Sequence, residues 1–253
     1  MHRSKVSLVE WFWTAWVMGQ DKRGVSALQL SRLLKRRYDT VWRLLHKVRA
    51  VLRENANAFP LAGVIVADET YTGGKTSVAK GGRSLADPRR SVVGLAVERI
   101  PTKVGVRGSG FCCGSARLEV LGSACGAELL AFIDRSCAAG ATVRSDGWSG
   151  YFNLENAGYT HDREVEGNPQ NASELFPLVH TIFSNLKAWM AGTFHGVTAT
   201  WLPAYVAEFN YRFNRRKYAE TGELWRYLLR RAVSGLPQGW ETLNERYQPR
   251  RAA

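Results

Sequence analysis

Asp68 and Asp146 each close a short apolar run of β character, Gly63-Val64-Ile65-Val66-Ala67-Asp68 in one case and Ala141-Thr142-Val143-Arg144-Ser145-Asp146 in the other. A carboxylate at the end of a buried strand is costly unless it is paired or binds a cation. Singly, either residue is better explained as a strand-end cap or turn former, because Asp hydrogen-bonds nearby backbone. Brought together by one sheet, the two would make a hard oxygen site for a divalent cation, and such sites run phosphodiester chemistry. Farther on, His180, Ser184, Asn185 and Lys187 occur in a segment of helical spacing. His180 and Lys187 are two helical turns apart and share a face, with Ser184 between them. Asn185 points about 140° away from His180 and is the poorer candidate. If this helix lies beside the acids, His180 is the third metal ligand or the partner of an attacking water. Lys187 then holds a phosphate as a point charge. A His and a Lys on a helix are otherwise ordinary surface residues. Glu69 faces away from Asp68 on a continuing strand and is expected to be structural.

Three stretches must position these groups. In the first, Val6, Val9, Phe12, Trp13 and Trp16 recur as one apolar face of a helix. After a turn at residues 20–24, Ser26 caps a second helix over 27–34 with Leu28, Leu30, Leu33 and Leu34 as its apolar set. Asp39 or Thr40 then caps a third, with Val41, Leu44, Leu45, Val48 and Leu52 inward. Two short helices joined by the basic turn Lys35-Arg36-Arg37 read as a helix-turn-helix, which puts Arg43, Lys47 and Arg49 on a groove- or phosphate-facing surface. A plain three-helix packing domain is the competing reading. From about residue 56, β-type runs fall at 61–67, 91–98, 110–120, 141–144 and 160–166, with a helix over 126–137. That alternation predicts an α/β layout with a mixed sheet. Residues 73–90, rich in Gly and carrying Lys75, read as a long exposed connection. Helices are expected again over 179–190 and 200–213, and the cluster Arg212, Arg215, Arg216, Lys217 lies at the end of the second.

A chain of 253 residues with 45% hydrophobic content and nine Trp is long enough for one sizeable core and a small second domain. No apolar run approaches the roughly 18 residues needed to span a bilayer. The apolar segment from Val6 to Met18 is interrupted by Glu10 and reads as a buried helix, not a signal peptide. A cytoplasmic location is therefore expected. Cys112, Cys113, Cys125 and Cys137 form no C-x-x-C pair, so reduced and mostly buried thiols are expected rather than a zinc site. The net charge of +13 is uneven: residues 1–53 carry +9, 54–211 carry −2 and 212–253 carry +6. Two basic ends around a near-neutral centre suggest a polyanion gripped by the flanks while the centre does something else.

The segment Ala67-Asp68-Glu69-Thr70-Tyr71-Thr72-Gly73-Gly74-Lys75 resembles the first-acid motif of bacterial insertion-sequence transposases of the ISXO-like DDE type, and Ser145-Asp146-Gly147-Trp148-Ser149-Gly150-Tyr151 resembles their second. The run from His180 to Lys187, followed by Gly192-Thr193-Phe194-His195-Gly196-Val197 and Glu208-Phe209-Asn210-Tyr211-Arg212-Phe213-Asn214-Arg215-Arg216, resembles their third-residue helix and its trailing signature. The resemblance covers residues 7–217. It implies an RNase H-like mixed-sheet catalytic core over 56–217, preceded by a helix-turn-helix domain over 1–55 and followed by a basic helix and tail over 218–253. It further implies metal-dependent DNA strand cleavage and strand transfer, with Asp68, Asp146 and His180 holding two Mg²⁺ or Mn²⁺ ions and Lys187 completing the site. Double-stranded DNA, both element ends and target, is the implied partner, bound through Arg36, Arg37, Arg43, Lys47, Arg49, Lys75, Arg215 and Arg216 by a homodimer or higher oligomer in the nucleoid. No membrane is involved on this reading. The family's zinc ribbon does not precede the helix-turn-helix in this sequence. A nuclease that cuts without joining, a helix-turn-helix regulator and an inactive transposase relic are the alternatives.

Overall fold

A five-stranded mixed sheet carries both candidate acids. The computed structural model describes residues 4–53, 59–73, 90–102, 110–164, 177–216 and 224–234. Strands β1 (Val64–Thr72), β2 (Ser91–Pro101) and β3 (Phe111–Leu121) form an antiparallel meander. Helix α4 (Gly126–Ser136) then leads to β4 (Thr142–Ser145), which lies parallel to β1 on its other side. Strand β5 (Thr160–Arg163) adds parallel to β4, completing the order β3-β2-β1-β4-β5. This is an RNase H-like sheet. Alternation along β1 decides its two faces. Ile65 and Ala67 join Val92, Ala96, Leu129, Phe132 and Ile133 in one core beneath α4. Each such large side chain contributes roughly 1.5–3 kcal/mol when removed from water. The opposite face carries Val66, Asp68 and Thr70, level with the fully buried Val97, Leu95 and Val93 of β2. Helix α5 (Pro177–Phe194) buries Val179, Ile182, Phe183 and Leu186 and reaches Thr70 on that face through Lys187.

The chain divides into two compact units, one of residues 57–188 and one made of residues 1–56 together with 189–253. The division expected from sequence kept residues up to 217 with the sheet, whereas helix α6 (Leu202–Asn214) packs on α3 (Tyr38–Arg53) in the helical unit. Helix α1 (Leu8–Gln20) packs there on α7 (Leu224–Ser234), and α2 (Ala27–Leu34) on α3. Trp11, Met18, Leu30, Leu45, Tyr211 and Leu228 share one core.

Helix α2 has the bounds and Ser26 cap read from the sequence, its first turn closed by a bond from Gln29 N–H to Ser26 Oγ. Helix α3 starts before the expected Asp39 or Thr40 cap, because the Arg37 carbonyl already accepts from Val41 N–H. Helix α1 departs more sharply. It buries Trp11, Thr14, Ala15 and Met18, while Val9, Phe12, Trp13 and Trp16, expected inward, stay 42–63% exposed. Both arcs of this helix are apolar, so periodicity could not choose between them. Among the cysteines only Cys137 is buried, and Cys112 and Cys125 are exposed, against the expectation of mostly buried thiols. Among the described residues no helix is long and apolar enough to cross a membrane. Lys75, the rest of the 74–89 connection and Lys217 lie outside the described residues.

Candidate functional site

Strand register brings the two acids together. Val64, Ile65 and Val66 pair with Thr142, Val143 and Arg144 in parallel, so carrying the register forward two residues sets Asp68 opposite Asp146. Adjacent strands lie about 4.8 Å apart, and equal parity points both side chains to one face. Asp68 is not at the end of its strand: β1 continues beside β2 to Thr72, and only the pairing with β4 stops short of the acid. Both carboxylates are half-buried. Asp68 Oδ1 accepts from Glu69 N–H at 2.7 Å, and Asp146 Oδ1 accepts from Trp148 N–H at 3.0 Å. Gly147, at φ 76°, makes the turn that folds Trp148 back over Asp146.

Helix α5 brings Lys187 to this face, its Nζ donating to Thr70 Oγ1 at 2.8 Å, two residues beyond Asp68. His180 lies half-buried two turns earlier on the same helix face, with Ser184 exposed between. Among the described residues no three His, Cys, Asp or Glu side chains stand close enough to hold a metal ion together. The donor set of Asp68 in β1 and Asp146 just past the end of β4, two half-buried carboxylates, fits a divalent cation that completes its shell with water or substrate oxygens.

Two residues next to the acids are linked in a way the sequence did not disclose. Tyr151, 1% exposed, donates its hydroxyl to Glu69 Oε2 at 3.1 Å. Burial first, then the nearby Glu69, Asp68 and Asp146 carboxylates, raise the Tyr151 phenol well above its ordinary range, so it stays a donor. Glu69 points away from the Asp68 face, to a partner 82 residues away.

The helical unit presents the expected basic residues in three different settings. Thr40, Arg43, Leu44 and Lys47 follow i, i+3, i+4, i+7 spacing on α3 and line a groove of about 490 Å³ with Lys5, Trp11 and Arg37. Arg36 is half exposed and pairs with Glu10 at 2.5 Å. Arg49 corrects the sequence reading. It is 1% exposed, bonded through Nε to Glu208 Oε2 at 2.7 Å and stacked 4.2 Å over Tyr205, so it is a core residue, not a DNA contact. Six positions beyond Arg43, it points to the flank of α3 that meets α6. Glu208 also accepts from Arg212 Nε at 2.9 Å, and Arg212 in turn donates to the carbonyls of Met18 and Asp21 at the end of α1. Burial pushes the Glu208 carboxyl up, but Arg49 and Arg212 outweigh it and hold the group below its usual range. Arg215 and Arg216, at the end of α6, lie over the Tyr211 and Phe213 rings at 4.2 and 4.4 Å.

The family model of the ISXO2-like transposase domain matches residues 60–214, more than half of the chain. The chain belongs to this family. It is a DDE-type transposase. Its matched region takes in the whole sheet and α5, with both candidate acids and Lys187 inside it. Among solved structures, the transposase is similar to a Mos1 transposase paired-end complex with left transposon end (10% identity, TM-score 0.29) and a pre-cleavage Mos1 transpososome (9% identity, TM-score 0.27). Each similarity covers 94% of this chain and 82% of the other. At that low overlap the fold assignment rests on strand order. A search of curated proteins finds no match. The transposase's trailing signature from Glu208 to Arg216 divides by role, since Glu208 and Arg212 join helices of the basic unit and Arg215 and Arg216 lie nearer solvent.

Proposed function

We propose that this transposase cuts and joins the DNA ends of an insertion sequence at Asp68 and Asp146. The observation that carries the reading is the parallel register that sets these carboxylates side by side, with Lys187 on the same face. DDE transposases use divalent metal ions; Asp68 and Asp146 are the residues proposed to hold them, as a pair of Mg²⁺ or Mn²⁺ ions. Cations bound there supply Lewis-acid activation of the attacking hydroxyl and neutralise charge on the leaving oxygen. Lys187 places a phosphate over the acids, exchanging its bond to the Thr70 hydroxyl for a charge-assisted one. His180, on the same face of α5 as Lys187, is proposed to orient the attacking water or 3′-hydroxyl rather than to serve as a ligand.

Double-stranded DNA is held by the groove of Lys5, Arg37, Arg43 and Lys47 as phosphate contacts, with Arg215 and Arg216 adding charge. The proposed assembly is a homodimer that pairs α1 with α1. The four side chains Val9, Phe12, Trp13 and Trp16 form one contiguous exposed stripe. Pairing two such stripes with their rims would bury on the order of 1,000 Å², the lower limit for a specific interface. A Trp13→Glu variant that leaves the mass in solution unchanged would remove this surface from consideration.

The site assignment is tested by strand transfer of a DNA carrying the element's ends with Mg²⁺. Asp68→Asn and Asp146→Asn should each reduce the rate at least a hundredfold while leaving DNA binding intact. Wild-type rates in the double variant would end the assignment. Cleavage without joining by the wild-type protein would favour the nuclease reading.

A further inference from the structure

Each candidate acid is bonded to a neighbour, Glu69 or Trp148, and those two neighbours are linked through Tyr151. From Asp68, the path runs through Glu69 N–H, along the Glu69 side chain to the Tyr151 hydroxyl at 3.1 Å, then from Tyr151 N–H to the Trp148 carbonyl at 3.0 Å. It closes where Trp148 N–H reaches Asp146 Oδ1 at 3.0 Å. The bond from Tyr151 to Trp148 closes the tight turn Ser149–Tyr151, whose shape leaves little room: a Cβ on Gly150 would meet Leu129 Cδ1 and Trp148 Nε1 at 2.7 Å. Trp148 Nε1 also donates to the Ala124 carbonyl at 3.4 Å, pinning the turn ahead of α4. The pairing of β1 with β4 stops at Val66 and Arg144, two residues short of the acids. At the level of the carboxylates this side-chain circuit, across the face opposite to them, supplements the ladder.

We infer that the Tyr151–Glu69 hydrogen bond is a strut that sets the separation of Asp68 and Asp146, and that both residues are positioning residues for the divalent cation. The inference rests on those acids being the cation ligands. A cation needs its donors at a fixed spacing, and partners that orient ligands typically change metal affinity by 10–100-fold when lost. Tyr151 is held by burial as a neutral donor, and a buried carboxylate such as Glu69 is the strongest acceptor available to it. A residue kept only for packing would not need the hydroxyl.

The test titrates Mn²⁺ into the full-length protein and follows free Mn²⁺ by its electron paramagnetic resonance signal, with melting temperature measured alongside. Tyr151→Phe keeps the ring and loses the donor, and Glu69→Ala loses the acceptor. Each should weaken Mn²⁺ binding about tenfold. Glu69→Gln keeps an amide oxygen that accepts from Tyr151 and should stay within about threefold of wild type. The Tyr151→Phe/Glu69→Ala double variant should be no weaker than either single one, because both remove the same bond. Wild-type affinity in Tyr151→Phe and Glu69→Ala, with Asp68→Asn and Asp146→Asn both losing Mn²⁺, would overturn the strut and leave the site standing. Mn²⁺ binding unaffected in the two Asp→Asn variants would instead overturn the site itself. Additive losses in the double variant would show that the residues act separately, which also overturns the strut.

Discussion

Replacing Glu208 by Ala removes the centre of the most deeply buried ion network in the described helical unit, and the loss can be worked from the contacts. Glu208 and Arg49 are each 1% exposed and joined at 2.7 Å, and Arg212, 10% exposed, adds a second guanidinium at 2.8 Å. Without the carboxylate, Arg49 keeps its charge over Tyr205 with its main counter-ion gone. Arg212 still has the carbonyls of Met18 and Asp21, so most of the penalty falls on one ion. Breaking a buried pair in this way costs about 3–5 kcal/mol, a large part of a typical domain's 5–15 kcal/mol. The melting point should fall by roughly 10–25 °C. Eight of the nine Trp lie in residues 1–56 and 189–253, Trp148 being the exception. Intrinsic fluorescence therefore reports the helical unit almost alone, and far-UV circular dichroism reports both units. The fluorescence transition should move and the later part of the dichroism transition should stay. Arg49→Met combined with Glu208→Leu should recover most of the loss, because an apolar pair of similar volume replaces the ions. A shift below about 1 kcal/mol for Glu208→Ala, or no recovery in the double variant, would refute this account.

Burial among Trp42, Trp201 and Tyr205, followed by the charge of Arg49, drives His46 down to about 2. The unfolded chain then binds a proton below pH 6.5 that the folded one refuses, so stability should fall with acid at about 1.4 kcal/mol per pH unit below 6.5, and His46→Phe should flatten that slope in urea titrations. Arg37→Ala, Arg43→Ala and Lys47→Ala together should lower the slope of log affinity against log salt by roughly 2–3 in DNA-binding titrations, whereas Arg49→Met should leave it unchanged. His180→Ala should slow strand transfer tenfold or more yet hold Mn²⁺ affinity within about twofold; a parallel loss of both would make it a ligand after all.

The sheet was legible because its strands are short apolar runs bounded by turn residues, and the β1–β4 register, carried two residues past its last pair, brings Asp68 and Asp146 to one level. What escaped was set by partners far apart in the chain. Arg49 looks like one more cation on a basic helix until Glu208, 159 residues later, is placed against it. Tyr151 ends the second motif, and its bond to Glu69, 82 residues earlier, exists only once the sheet has formed. Helix α1 failed for another reason: Trp11, Ala15 and Met18 make as good an apolar face as Val9, Phe12, Trp13 and Trp16, and only tertiary packing separates them.

The helical unit is assembled from the two ends of the chain, and this sets an order of events on the ribosome. Trp11, Met18 and Leu45 are made first, but the core they enter also needs Tyr211, Leu224 and Leu228. At roughly 5–20 residues per second, about 10–40 s separate the synthesis of Trp11 from that of Tyr211. By the end of that interval all five strands, which finish at Arg163, have been made, while the basic N-terminal helices still lack the rest of their core. A nascent or prematurely stopped chain therefore completes its sheet before the groove on α3 has the full core behind it.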